Sequence, residues 1–578
     1  MQTAAPEIAP PAGSIVTVAR RLELQTVLLT LLALTVGFVT VYPIAQIALQ
    51  SFQASIPGQT PVWSLDGWHA VFTERGLQSA AWNTVTLTVV RQGISVVIGV
   101  FIAWLLARTN LPGARIFEFL FWLAFFFPSL TVTLSWILLL DPQFGLINQW
   151  LRSIGFGEGN SGPMTIYSFW GIVWVQLMAT TIAVKVMLLT PAFRNMNASF
   201  EEASYISGSS TLDTFRRIFI PLMMPVILAV QLLAILRSLE AFEIEQILGG
   251  RINLRVFSTW IYSVLNQQPP RYDAVSALAV VTIVVALGLI LLQRTMLANR
   301  SYTTVTGKFG GQLIPLGRSR WPLCVGIAVL LVLIIGVPVV FAIMGTFMKL
   351  FGFFMADGWS LQHWNTALND RTLGRALGNT MTLALSTALV SVFLHSLLAY
   401  VLVRTKFFGR SALDVVTWLP FAVPGVVLSL GLVTMLLQPA FRPIYGTMAA
   451  LGVALVIAGM PFSVQIVKSS LMQIGTELEE ASWVTGANGF RTYLRVVLPL
   501  LSPTLVVTAI ITFLSATRNI AQVALLSTPG TQPLSVLQLN YLVEGKYEIA
   551  SVLSVILLCI SLVLAVLARV FGYRGVTG

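Results

Sequence analysis

Charged residues are scarce in this sequence. Only 10% of the 578 residues are charged and 56% are hydrophobic, whereas soluble domains carry about 25% charged residues. Apolar runs of about 20 residues recur along the chain instead, and a helix needs a run of that length to cross a bilayer. This composition excludes a soluble globular protein and predicts an all-α membrane protein.

Cysteine and histidine are rare as well. Cys324 and Cys559 lie inside apolar runs, without Cys-x-x-Cys or Cys/His spacing, so the pattern indicates packing residues and no metal site. His395 also lies inside an apolar run, and we interpret it as a packed polar residue. The sequence shows no Ser/His/Asp set, His-Glu-x-x-His motif or paired carboxylates, which disfavours a membrane-embedded enzyme.

A phosphate-binding loop is also missing. The stretch "TVTGKFG" at 304–310 contains Gly-Lys, but it has neither the earlier glycine nor the following Ser or Thr that the motif requires. We therefore predict that this chain binds no ATP by that route and carries no cofactor.

The basic residues follow a topological pattern. The chain has 34 Lys and Arg against 22 Asp and Glu, a net charge of +12. These residues lie in short clusters after the even-numbered apolar runs, such as Arg404 and Lys406, which is the positive-inside pattern and not a nucleic-acid surface. We predict no nucleic-acid partner, a multi-pass protein in a lipid bilayer, and both termini in the cytoplasm.

Twelve apolar windows fall into two groups of six. They cover roughly 27–49, 82–107, 116–140, 166–190, 221–247 and 272–292, and then 321–347, 378–403, 414–438, 447–468, 500–526 and 547–571. The predicted organisation is a disordered cytoplasmic leader (1–24), a first half (25–295), a cytoplasmic linker (296–320), a second half (321–572) and a cytoplasmic tail (573–578).

The two halves repeat each other. The segment "EEASYISGSSTLDTFRRIFIPLMMP" at 201–225 returns without a gap as "EEASWVTGANGFRTYLRVVLPLLSP" at 479–503, so equivalent residues are 278 apart. A second repeated stretch, ending at Pro128 and Pro424, has a separation of 296. The first half thus holds about 18 extra residues, in the predicted outward loop around "LRSIGFGEGNSGPMTIY". Because each half has an even number of spans, we predict two parallel repeats.

Each repeat contains a polar segment between its fourth and fifth spans. We name residues 201–220 the first elbow and residues 479–498 the second elbow. A helical pattern in each is interrupted by Gly208 or Gly486. In the first elbow Ser209, Ser210 and Thr211, and in the second Asn488, then supply residues that can cap a second short helix. The pattern predicts a helix–turn–helix in the cytoplasm. An amphipathic helix lying on lipid is the alternative, but lipid binding requires no fixed glycine and proline.

These elbows resemble the EAA loop of permease subunits in binding-protein-dependent ABC importers: Glu-Ala-Ala, three residues, Gly, nine residues, Ile-x-Leu-Pro. The third alanine is replaced here by Ser204 and Ser482. The resemblance implies that each elbow docks on an ATPase subunit. Two copies of that subunit would bind ATP and Mg²⁺ and hydrolyse the ATP. The resemblance also implies that a periplasmic or extracellular binding protein delivers the substrate. It places the chain in a bacterial inner membrane. It assigns the coupling role to Glu201, Glu202, Ala203, Gly208, Glu479, Glu480, Ala481 and Gly486.

Other stretches resemble one branch of that family, the fused twelve-span ferric-iron permeases. These stretches include "LEAFEIEQILGG", "TTVTGKFG" and "LSTPGTQPLSVLQ". The resemblance implies ferric iron as the substrate. Phosphonate (such as 2-aminoethylphosphonate), thiamine and polyamine stay open as alternatives.

Ionisable residues near membrane depth are candidates for the substrate path. Glu240 and Glu243 lie one helical turn apart at the end of span five, and the repeat places Arg518 opposite Glu240. We predict that they line a path between the halves or form a gate. The alternative is a structural ion pair or ordinary charges at a loop edge. Arg91 and Lys185 are interpreted as snorkelling to the interface.

A secondary transporter is the remaining rival, since twelve spans in two parallel halves fit that class too. It would need coupling carboxylates in several spans, whereas spans one to four and seven to ten contain almost no Asp or Glu.

Overall fold

The computed structural model describes residues 12–54, 62–157, 159–197, 204, 206–268, 270–298, 313–355 and 358–574. Most of these residues are helical. The strands among them are Gln53–Ala54 and Val62–Trp63, which pair antiparallel. The prediction of an all-α membrane protein is confirmed.

Nine helices in the described part of the chain are long and apolar enough to cross a membrane. In the first half they are span one (Ala12–Gln50), span two (Arg75–Arg108), span four (Phe169–Arg194), span five (Thr211–Leu239) and span six (Tyr272–Ala298). In the second half they are span seven (Gly317–Phe347), span eight (Arg371–Arg404), span ten (Met448–Met472) and span twelve (Tyr547–Arg574).

The other three predicted spans are bent pairs of helices. Span three is Ala114–Ala124 with Ser129–Leu140, bent by 100°; span nine is Arg410–Ala422 with Gly425–Leu436, bent by 112°; and span eleven is Gly489–Leu500 with Ser502–Arg518, bent by 79°. Counting each pair as one span gives the predicted twelve. The members of spans three and nine are too short to cross alone, since a helix of 11 or 12 residues reaches only about 16–18 Å of a core about 30 Å thick.

Proline explains why spans three and nine break at equivalent places. Pro128 and Pro424 directly precede the second helix of each pair and have extended backbone, with ψ of 132° and 144°. Proline lacks the N–H that would continue the preceding helix, and its ring clashes with the previous turn. The apolar windows 116–140 and 414–438 had predicted single spans, because apolarity alone carries no information about a bend.

Shorter helices occupy the connections. They are Asp66–Thr73, Leu146–Ser153, Phe257–Leu265, Gln362–Asn369, Glu477–Val484 and Leu534–Val543. The backbone of span one is helical from Ala12, so the predicted disordered leader does not hold for residues 12–24, and residues 1–11 lie outside the described part. Residues 299–312 of the predicted linker and 575–578 of the predicted tail also lie outside it.

The halves exchange their first spans. Span one packs against Gly425–Leu436 of span nine in the other half, and span seven packs against Ser129–Leu140 of span three in the other half. Span one also contacts span six, and span seven contacts span twelve. Broken spans three and nine therefore sit at the boundary between the halves.

Candidate functional site

The second elbow is a helix–turn–helix, as predicted. Its first helix, Glu477–Val484, ends in a turn at Gly486, whose φ of +87° favours glycine because a Cβ is strained there. The Asn488 side chain then accepts a hydrogen bond from the backbone N–H of Arg491 and caps the second helix. The hydroxyls of Ser482 and Thr492 lie 3.0 Å apart and join the two helices.

The first elbow repeats this geometry. Gly208 has a φ of +78°, and Ser210 caps the following helix by accepting from the backbone N–H of Asp213. The hydroxyls of Ser204 and Thr214 lie 2.9 Å apart. Three candidate coupling residues, Glu201, Glu202 and Ala203, lie outside the described residues. Where it is described, the first elbow has the same internal hydrogen bonds as the second.

An aromatic pair anchors each elbow to its half. The ring of Phe215 in the first elbow packs on Trp104 of span two at 4.6 Å between centroids. At the equivalent positions, Tyr493 packs on Tyr400 of span eight at 5.2 Å. Tyr493 also makes a 2.7 Å hydrogen bond with Ser396. Each elbow is therefore in direct contact with a membrane-spanning helix of its own half.

The two adjacent glutamates of the second elbow differ in their surroundings. Glu479 is 2% exposed and forms an ion pair with Arg404 at 2.7 Å, while Glu480 is exposed to solvent. Arg404 also donates hydrogen bonds to the carbonyl oxygens of Leu471 and Ile474. Glu479 thus holds the elbow against its own half, and Glu480 is the carboxylate that a partner can reach.

Exposed apolar side chains lie on both elbows at equivalent positions. Ile206 and Val484 are each 88% exposed, and Leu212 and Phe490 are 53% and 59% exposed. Trp483 adds a further 48% exposed ring to the second elbow. Because large apolar side chains are rarely so exposed together without a partner, we name these residues the elbow faces.

The glutamates at the end of span five have separate partners. Glu240 forms an ion pair with Arg237 at 2.8 Å. Glu243 accepts a 2.7 Å hydrogen bond from the Ser129 hydroxyl. Both contacts lie within the first half, and within the described residues neither carboxylate is in an ion pair with Arg518.

Arg518 crosses to the other half by a different contact. Its guanidinium donates a 2.8 Å hydrogen bond to the carbonyl oxygen of Phe125 and lies 5.1 Å from the centre of that ring. Phe125 precedes the break in span three. The structure therefore brings Arg518 to the boundary between the halves, where it contacts Phe125 and interacts electrostatically with the Glu243 carboxylate without forming a close ion pair.

Arg237 of the first half makes the corresponding contact with the second half, and the sequence analysis did not identify it. Its guanidinium lies 5.5 Å from the ring of Phe421 and 4.7 Å from the ring of Phe462, both in the second half. Phe421 is the repeat equivalent of Phe125. The sequence does show an arginine one helical turn before Glu240, which could have marked Arg237 as a candidate. Its equivalent in the second half is Ser515, so comparison of the two repeats did not single it out.

A buried polar cluster corrects the interpretation of Arg91 and Lys185. Both are buried, at 4% and 0% exposure, and do not reach the lipid interface. The Lys185 amino group donates a 2.6 Å hydrogen bond to Ser95 and a second one to Gln92. Burial without water requires such partners, so this cluster is part of the packing of the first half.

The third glutamate of this region, Glu245, belongs to the same cluster. It lies 3.8 Å from Arg91 and accepts a 2.6 Å hydrogen bond from Gln176. It ties the bend after span five to spans two and four. Among the described residues, no group of three or more His, Cys, Asp and Glu side chains is arranged to hold a metal ion.

A second junction between the halves lies in the predicted outward loops. Asp141 accepts a 2.8 Å hydrogen bond from the Tyr167 hydroxyl, and Arg251 lies 3.9 Å from the same carboxylate. Arg251 also hydrogen-bonds Tyr547 of the second half. Burial and the neighbouring Asp141 carboxylate raise the pKa of Tyr167 above its ordinary value of 10.0, so the tyrosine stays a hydrogen-bond donor.

Comparison with known proteins places both halves in one family. A family model described as "Binding-protein-dependent transport system inner membrane component" matches residues 95–300 and again residues 391–574. The two matches contain the two elbows and cover more than half of the chain.

Individual relatives are more distant. The chain is 28% identical over 454 residues to the "Ferric transport system permease protein FbpB" of Actinobacillus pleuropneumoniae, which covers 75% of the chain and 63% of the relative. It is 28% identical over 418 residues to the "Putative ferric transport system permease protein FbpB 1" of Haemophilus influenzae, covering 70% and 63%. The "Probable ABC transporter permease protein y4fN" of Sinorhizobium fredii is 24% identical over 524 residues, covering 87% and 89%. The alignments thus span less than two thirds of the first two relatives.

Proposed function

Because the chain belongs to the family of inner membrane components of binding-protein-dependent transport systems, we propose that it is the membrane-spanning permease of an ATP-driven importer. A binding protein delivers the substrate to the outer face, and two ATPase subunits dock on the two elbows. Closure of the ATPase pair moves the elbows, the halves rock about the path between them, and the substrate passes inward. Both termini lie in the cytoplasm in this arrangement.

The duplicated elbow is the observation that carries this proposal. Two segments with the same internal hydrogen bonds and the same exposed apolar positions fit a partner that is met twice. A partner that covers the elbow faces would bury Ile206 and Val484, each worth about 2 kcal/mol on full burial. The aromatic anchors of Phe215 and Tyr493 would carry the motion into spans two and eight.

Ferric iron is the substrate we propose. Two of the similar proteins are named as ferric transport system permeases, and carboxylates such as Glu240 and Glu243 are oxygen ligands that suit a hard cation. We further propose that Glu240, Glu243 and Arg518 line the path, since all three contact the breaks or ends of helices at or next to the boundary between the halves.

Reconstitution tests the function. The chain is inserted in liposomes with the ATPase subunit and binding protein encoded beside it, and uptake of radiolabelled ferric iron is measured with and without ATP. We expect uptake only when ATP and both partners are present. Uptake driven by an ion gradient without an ATPase would overturn the proposal, and ATP-dependent uptake of thiamine or a phosphonate in place of iron would overturn the substrate alone.

The elbow faces are tested by charge substitution. Ile206→Asp with Val484→Asp is expected to prevent co-purification of the ATPase subunit, because a carboxylate cannot be buried in an apolar contact without a partner. Leu368→Asp is the matched control, since Leu368 is 70% exposed on a short helix in a predicted outward loop. Equal loss of ATPase binding in both variants would contradict the docking surface.

A further inference from the structure

The breaks in spans three and nine insert aromatic residues into the opposite half. At the first break, Phe126 packs in a buried cluster with Leu514 of span eleven and Ala565 of span twelve. At the second break, Phe421 packs with Leu236 of span five and Ala286 of span six. Leu236 and Leu514 are repeat equivalents, so one interface is built twice with the halves exchanged.

An arginine covers each insertion. Arg518, at the end of span eleven, lies over Phe125 and donates to its carbonyl oxygen. Arg237, in the last turn of span five, lies over Phe421 and Phe462. Each arginine belongs to the half that receives the insertion, and each ring belongs to the half that supplies it. We call the contact of Arg518 with Phe125 the first clasp, and that of Arg237 with Phe421 the second clasp.

The clasps lie where the halves must separate. In the proposed function the path opens between the halves, and the broken spans are the elements at that boundary. A guanidinium on a ring in a site shielded from water is held more strongly than an exposed one. If the break of span three or span nine is withdrawn from the opposite half, the clasp at that break must open.

We propose that the two clasps lock the halves in the arrangement seen here, and that both open during each transport cycle. This inference rests on the proposed function, because it needs a cycle in which the halves move. The binding protein would then act by stabilising the unclasped arrangement, since a ligand shifts an equilibrium only by binding one state more tightly.

The clasps are unequal. Arg518 is partly buried and donates to a main-chain carbonyl, whereas the Arg237 side chain is 45% exposed and shared with Glu240. Loss of the first clasp should therefore shift the equilibrium by about tenfold and loss of the second by about threefold.

The experiment measures ATP hydrolysis by the reconstituted permease–ATPase assembly without the binding protein. Arg518→Gln is expected to raise this hydrolysis about tenfold and Arg237→Gln about threefold. Phe125→Leu and Phe421→Leu should each give a smaller rise, because the first keeps the hydrogen bond to the main-chain carbonyl and the second leaves Arg237 over Phe462. Lys546→Gln is the control, because Lys546 lies over Tyr541 within one half. It should leave hydrolysis unchanged.

Double substitutions distinguish a contact that locks the two halves together from one that only stabilises the fold. Arg518→Gln with Phe125→Leu should raise hydrolysis no more than Arg518→Gln alone, because losing the guanidinium already removes its contact with the ring. Arg518→Gln with Phe421→Leu should multiply their effects. If Arg518→Gln fails to fold, as shown by its melting temperature, Phe125→Leu and Phe421→Leu carry the test. Unchanged hydrolysis in the folded clasp variants, or a rise equal to that of Lys546→Gln, overturns the clasps. A wild-type assembly that hydrolyses no ATP even after the substrate-loaded binding protein is added overturns the proposed function instead.

Discussion

Arg404 and Glu479 form an ion pair 2.7 Å long that fastens the second elbow to the end of span eight, and the carboxylate is 2% exposed. Arg108 occupies the equivalent position of Arg404 in the first half and donates to the carbonyl oxygen of Met196, the equivalent of Ile474. The elbows are therefore rigidly attached on one side and apolar on the other, which is what a lever between a membrane helix and a soluble partner requires.

Removing the buried carboxylate should loosen the second elbow. Glu479→Gln leaves Arg404 without its counter-charge, and we expect it to lower the free energy of unfolding by roughly 3 kcal/mol. Thermal unfolding of the purified chain measures this. Glu480→Gln is the control, because the exposed neighbour should change stability by less than about 0.5 kcal/mol. Equal effects of the two substitutions would contradict the different burial of the two glutamates.

The turn glycines should tolerate no side chain. Gly486→Ala and Gly208→Ala each place a Cβ at a φ near +80°, at an expected cost of about 1–2 kcal/mol per site. Since the turn sets the angle between the two elbow helices, affinity for the ATPase subunit should fall as well. Gly374→Ala is the control, because that helical glycine has open space around it and should be neutral or slightly stabilising. A loss of affinity as large in Gly374→Ala would show that the turn is not responsible.

Because spans two and four pack closely, we expect Gly99 to tolerate no larger side chain. A Cβ added there would lie 2.6 Å from the Cβ of Lys185, and a Cβ cannot rotate away. We expect Gly99→Ala to lower the melting temperature, at about 1–3 kcal/mol for overpacking. Gly93→Ala, two turns earlier in the same helix with nothing within 4 Å, is the matched variant and should be stable. If Gly99→Ala and Gly93→Ala both kept the melting temperature of the unsubstituted chain, spans two and four would have to lie further apart at Gly99 than the structure shows.

The outward junction should respond to alkaline pH. Tyr167 has a raised pKa in the folded chain, so folding favours its protonated form. The stabilisation is complete below the ordinary tyrosine pKa of about 10 and is lost as pH rises above that value. Tyr167→Phe removes the hydrogen bond to Asp141, at about 1–3 kcal/mol, and should flatten the decline in stability between pH 9 and 11. Urea unfolding at several pH values tests this, and an unchanged slope would contradict the raised pKa.

Much of the architecture could be predicted from the residue order. The apolar windows found nine spans directly and the positions of the other three, and the Gly and Asn or Ser spacing of the elbows predicted both turns and both caps, which the structure confirms at Gly208, Ser210, Gly486 and Asn488. The contacts of the candidate path residues could be predicted less well from the sequence. Glu240, Glu243 and Arg518 were predicted as one group, and Glu243 does interact electrostatically with the other two, yet the close hydrogen bonds and ion pairs of each residue are with other partners. The contact of Arg237 with the second half could not be inferred from the repeat, because its equivalent residue is Ser515.

What the sequence determined by itself is therefore the class of the protein, its division into two parallel repeats, and the local shape of each elbow. These depend on hydrophobic length and on backbone preferences of glycine and proline, which act between residues close in the chain. Only the tertiary structure decided which charged side chains meet. Arg518 and Phe125 are 393 residues apart, and their contact follows from how the broken span of one half enters the other.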